Sequence, residues 1–112
     1  MKNVKRTPQF RDWMNGLKDA KTASIIAANI EKLRRGLGDV EPVGDGVSEV
    51  RIDYGPGYRL YFGELAGRLI VLFVGGTKRR QQVDIDDARA IFKELKKQAT
   101  DNATRRSGVS RK

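Results

Sequence analysis

Cysteine and histidine are both missing from the 112 residues. Without cysteine there is no disulfide framework, no thiolate zinc site and no thiol nucleophile, a composition compatible with a reducing compartment. Without histidine, imidazole metal sites, Ser-His-Asp triads and histidine acid/base pairs are excluded. Apolar runs stay far short of the ~20 residues that a membrane-spanning helix needs. The opening MKNVKRTPQF lacks the apolar stretch of a secretory leader. A soluble, cytoplasmic protein that makes no membrane contact is the expectation. Gly75-Gly76-Thr77-Lys78 is only a fragment of the GxxxxGK[ST] phosphate loop, so nucleotide hydrolysis is excluded.

Acidic residues are also under-represented, 14 against 23 basic, for a net charge of +9. That balance points to a polyanion or an acidic protein as partner. A chain this short, 38% hydrophobic, makes one domain around one modest core. Residues 1–99 carry the patterned sequence. Residues 100–112, with Arg105, Arg106, Arg111 and Lys112 and little apolar content, read as a basic, disordered tail.

The stretch 48–80 organises the chain. Val50 and Ile52 alternate with Glu49, Arg51 and Asp53; Tyr58, Leu60 and Phe62 alternate with Arg59, Tyr61 and Gly63. A period of two marks strands with one buried and one solvated face. Residues 69–74, LIVLFV, are apolar at both parities, as in a central strand covered on both sides. Gly- and Pro-containing turns at 53–57 and 65–68 complete a three-strand antiparallel meander. Asn3-Val4-Lys5 offers a weak edge strand, and residues 37–47 read as an irregular connection.

Helices flank the meander. Thr7-Pro8 is a helix start, followed by Phe10, Trp13, Met14 and Leu17 at helical spacing. Ala23, Ile26, Ala27, Ile30 and Leu33 predict a second helix over 20–35, stopped by Gly36. Ile85, Ala88, Phe92, Leu95 and Ala99 predict a third, with Asp84 as its N-cap and Asp86 and Asp87 in its first turn. Capping explains that acidic cluster better than a metal site does. The predicted fold is α+β: an N-terminal helical hairpin, an antiparallel sheet of three to four strands, and a C-terminal helix.

The polar parity of the meander places Arg51, Arg59 and Tyr61 on one side, with Lys78 after the last strand. Cations for phosphates and an aromatic for bases are what unpaired RNA requires. The same pattern equally fits ordinary solvated strand residues. Phe10, Trp13, Tyr58 and Phe62 read as core, and Tyr54 as either core or surface.

Residues 44–62, containing EVRIDYGPGYRLYF, together with GGTK at 75–78, DIDDAR at 84–89 and FRDWMNGL at 10–17, resemble the RelE/HigB/ParE superfamily. Its members are toxins of type II toxin–antitoxin modules, and the likeness is to the addiction module killer, or phage-derived HigB-like, group. It extends over roughly residues 8–97. It implies a RelE-like domain that acts, without cofactor or metal, as a ribosome-dependent mRNA endoribonuclease. The implied partners are mRNA on the ribosome and a cognate antitoxin, acidic and carrying a helix-turn-helix. The resemblance puts catalysis on Arg59, Lys78 and Arg51, with Arg79 adjacent; strand parity adds Tyr61 to that group, and Arg79, Arg80 and Tyr54 are the expected RNA contacts. Arg59 and Arg51 would hold the nonbridging oxygens of the transition state. Lys78 or Tyr61 would serve as acid or base given a pKa drawn toward neutrality. Two family features are missing: the aromatic before the last helix, where this chain reads Gln81-Gln82-Val83-Asp84, and the histidine of HigB-type members. Members of ParE type inhibit DNA gyrase instead, and a noncatalytic nucleic-acid-binding module is the third alternative.

Overall fold

A computed structural model describes the backbone of residues 1–110 and the side chains of residues 1–102. Along it run β1 (Asn3–Arg6), α1 (Pro8–Asn15), α2 (Ala20–Arg34), β2 (Val40–Gly44), β3 (Val47–Ile52), β4 (Tyr58–Leu65), β5 (Leu69–Thr77), a 3-10 turn (Lys78–Arg80) and α3 (Gln81–Ser110). The architecture is α+β, built on one five-stranded sheet in the order β1-β5-β4-β3-β2.

The sheet is wider than the predicted meander and it is mixed. β2 pairs antiparallel with β3, and β1 pairs parallel with β5. The second hairpin forms because Asp45 and Gly46 both take positive φ, 54° and 81°, the backbone of a tight two-residue turn. β1 is fastened at its end by Thr7. Its hydroxyl donates to the Phe73 carbonyl at 2.6 Å and accepts from the Phe10 amide at 3.0 Å. One side chain thus caps α1 and sews it to β5.

Two layers of helix sandwich the sheet. On one face Phe10, Ile26, Ile30 and Leu33 pack against Val50, Leu60, Ile70 and Leu72. On the other, Ile85, Ala88 and Phe92 of α3 pack against Val47, Tyr61, Val71 and Phe73. β5, apolar at both parities, lies between the layers and its interior is buried throughout. Gly75 and Gly76 belong to this packing: a Cβ on Gly75 would run into the Trp13 indole, and one on Gly76 into the Asp84 carboxylate.

α3 starts earlier and runs further than its apolar stripe predicts. The 3-10 turn leads directly into it at Gln81, so Asp84 is in the first turn and is not the cap. The helix continues to Ser110 through residues read as tail; Lys96, Lys97, Gln98 and Ala99 are strong helix formers and carry it past its last core contact. The expectation for Arg111 and Lys112 lies outside the described residues. Among the described residues, no helix is long and apolar enough to cross a membrane.

Candidate nucleic-acid interface

β3 and β4 bring their arginines face to face. In the antiparallel register Arg51 is directly opposite Arg59, and Glu49 opposite Tyr61. The four share the face over which α3 packs. Like charges opposite one another across strands repel, and each guanidinium accordingly carries an acidic partner.

Arg59 is the inner one. Its Nη1 donates to Glu49 Oε1 at 2.9 Å, with side-chain exposures of 12% and 2%. The other Glu49 oxygen accepts from the Gln81 amide at 2.9 Å, which ties the pair to the start of α3. Arg51 is the outer one. It donates through Nε and Nη2 to the two Asp39 oxygens at 3.2 and 3.1 Å, and its Nη1 is 3.2 Å from Glu41. Its backbone amide also donates to the Asp39 carbonyl. The Asp39 hydrogen bonds, and then the Asp39 and Glu41 charges, push the Arg51 pKa further up, so it is a permanent cation.

Lys78 begins the 3-10 turn. Its backbone amide donates to the Gly57 carbonyl at 2.9 Å, which pins the end of β5 to the β3–β4 turn. Its side chain is exposed and makes no ion pair among the described residues. Arg51, Arg59 and Lys78 line one open cleft of about 350 Å³, together with Asp39, Asp53 and Tyr58. A second cleft of about 450 Å³ shares Asp39, Arg51 and Asp53 and continues toward Tyr54, Asn29 and Lys32. The Arg51–Asp39 pair stands where the two meet.

The remaining sequence-predicted residues fare differently. Tyr61 shares the expected parity, but α3 covers that part of the sheet, and Tyr61 is fully buried. Its hydroxyl is near the Glu49 carboxylate yet outside hydrogen-bond geometry. Burial first, and then the Glu49 charge, push its pKa upward, away from neutrality. Tyr61 is therefore a core residue in this structure, because the face read as solvated has a helix on it. Arg79 and Arg80 are exposed on the 3-10 turn without lining the cleft, and Arg80 Nε approaches Asp84 Oδ1 at 3.8 Å. Tyr54 is half-buried against the α1–α2 core, with Lys21 Nζ 5.8 Å from its ring centre.

Sequence reading missed the acids. Glu49 reads as a solvated strand residue, and its signal was an acid at the parity of two arginines. Asp39 and Glu41 were hidden in a supposedly irregular connection, whose Asp45-Gly46 turn was the clue to a hairpin beside Arg51. Asp84 was also missed as a core group. It is buried, its Oδ2 has no partner among the described residues, and burial raises its pKa, helped by Asp87 and opposed by Arg80.

No family model matches the chain. Over 93 residues it is 40% identical to an uncharacterized protein of Haemophilus influenzae, an alignment that covers 82% of this chain and 94% of that protein.

Proposed function

We propose that this chain, which belongs to the same family as the uncharacterized Haemophilus influenzae protein, is the toxin of a type II toxin–antitoxin module with a RelE-like fold. In this reading it cuts mRNA on the ribosome, and an acidic antitoxin neutralises it. The observation that carries the reading is the convergence of Arg51 and Arg59, from neighbouring strands, and Lys78, from the 3-10 turn, on one open cleft. Guanidinium forks suit phosphate oxygens, and a groove of mixed cationic and aromatic character suits unpaired RNA. The two clefts, which share Asp39, Arg51 and Asp53, together provide room for more than one nucleotide.

Within this mechanism the chain contributes positioning and charge. Arg51 stabilises the phosphorane as negative charge gathers on its nonbridging oxygens, and Arg59, whose Nη1 stays on Glu49, adds only the N–H groups it has left on the cleft. Lys78, which lines the same cleft, gives the leaving 5′-oxygen its proton, and the 2′-hydroxyl loses its own to water or to the ribosome. The ribosome supplies alignment of the 2′-hydroxyl with the phosphorus, a large part of the barrier. Cleavage of translated mRNA and little cleavage of naked RNA follow.

The burial of Tyr61 favours a second reading, in which the same cleft binds a nucleic acid or a protein target such as gyrase without chemistry. Mapping mRNA 5′ ends after induction separates the two. Discrete new ends, reduced by about tenfold or more in Lys78→Ala, support the nuclease. An absence of new ends while growth still stops contradicts it; loss of DNA supercoiling then identifies the protein-target form.

A further inference from the structure

Two guanidiniums opposed across a strand pair create a demand for negative charge that the fold answers in two different ways. Glu49, buried, answers it permanently for Arg59. Asp39 and Glu41 answer it for Arg51 from the surface, with exposures of 62% and 56% beside 44% for Arg51. The outer arrangement has the form of an occupied anion site. Three carboxylate oxygens surround one guanidinium, two of them in the parallel fork that a phosphate would use. Asp39 also lines both clefts at their junction.

We infer that Asp39 and Glu41 are an internal stand-in for phosphate, which holds Arg51 until a phosphodiester of single-stranded RNA displaces it. The inference rests on the reading of the cleft as an RNA site and names the regulation of that site. An exposed pair is weak enough to exchange, whereas the Arg59–Glu49 pair is too deeply buried to do so. The exchange is a competition: RNA gains a guanidinium only by releasing it from the acids. Binding is thereby graded, since only a ligand with enough other phosphate contacts overcomes the internal competitor. Without that competition, an exposed arginine on a chain of net charge +9 would bind any polyanion.

The test is the affinity of the full chain for a single-stranded RNA oligonucleotide, measured by fluorescence anisotropy across a salt series. The double variant Asp39→Asn/Glu41→Gln is expected to bind roughly 2- to 20-fold more tightly, from exposed-pair strengths. Its log–log salt slope should steepen by up to about 0.7, because in the wild type the displaced acids take up cations that offset those freed from the phosphate on Arg51. Glu41→Gln alone should show a smaller gain. Asp12→Asn/Asp101→Asn, which changes net charge equally away from the cleft, should lack the steeper slope. In an Arg51→Ala background the gain should vanish. Wild-type binding that the double variant leaves unchanged or weakens, or a gain that persists without Arg51, overturns the inference while leaving the RNA site intact. Failure of both proteins to bind overturns the RNA site as well.

Discussion

Arg59→Ala is an obvious variant for the proposed site, and the structure predicts that its first effect is on stability. Removing Arg59 leaves the Glu49 carboxylate, 2% exposed, with the Gln81 amide as its one hydrogen-bond partner among the described residues. Breaking one side of a buried pair costs about 3–5 kcal/mol, mostly from the stranded charge. A domain of this size has about 5–15 kcal/mol in total, so the variant sits near the edge of folding. At roughly 4–5 °C per kcal/mol, the loss amounts to a fall in melting temperature of about 12–25 °C. Thermal and urea unfolding of the purified protein measure it. Adding Glu49→Gln neutralises the stranded charge and should recover more than half of the loss, a non-additivity of about 2 kcal/mol in a double-mutant cycle. A cost for Arg59→Ala below about 1 kcal/mol, or strict additivity with Glu49→Gln, would refute the picture of a coupled buried pair. Loss of activity in Arg59→Ala is consequently interpretable only beside its melting curve.

Other consequences are more direct. Tyr61→Phe removes a buried hydroxyl that has no hydrogen-bond partner among the described residues, so stability should stay within about 1 kcal/mol and mRNA cutting should be unchanged; a large loss of cutting would restore Tyr61 to the site. Asp84 has a raised pKa in the fold, so the folded state holds its proton more tightly than the unfolded chain does. Its contribution therefore weakens as pH rises from about 4. Asp84→Asn should flatten that part of the urea-stability profile; an unaltered slope would contradict the assignment. Gly75→Ala drives a methyl into the Trp13 ring and should cost about 1–3 kcal/mol or more in urea unfolding, and wild-type stability would show that the helix and strand are not in contact. Ala66, at φ 55° in the β4–β5 turn, is strained for a residue with a Cβ. Ala66→Gly should raise stability by roughly 0.5–1 kcal/mol, and a destabilised variant would argue against that turn.

The elements that could be read from sequence were those with a clean period. β5 announced its burial through LIVLFV, α2 through its Ile26–Ile30–Leu33 stripe, and the parity of Arg51 with Arg59 followed from simple alternation. What escaped depended on which surfaces meet. β2 has an exposed, proline-containing sequence with no apolar alternation, and it is a strand only because the Asp45-Gly46 turn folds it onto β3. β1 is the edge strand that Asn3-Val4-Lys5 weakly offered, but its parallel partner is more than sixty residues away, a pairing that no local pattern encodes. The same limit governed the site. Alternation gave the face of Tyr61 correctly, yet it could not say that α3 would cover that face while leaving Arg51 and Lys78 open. The acids that neutralise the arginines were likewise invisible until the strands were in register.

The measurement that bears most directly on the central claim is the salt dependence of single-stranded RNA binding by the wild-type chain and by Lys78→Ala, whose side chain is exposed and makes no ion pair among the described residues. The account predicts a steep negative log–log slope for the wild type, and for the variant a slope shallower by about 0.7, the loss of one phosphate contact, with an unchanged melting temperature. A wild-type affinity indifferent to salt, or a variant with the full wild-type slope, would contradict the assignment of this cleft to the RNA backbone.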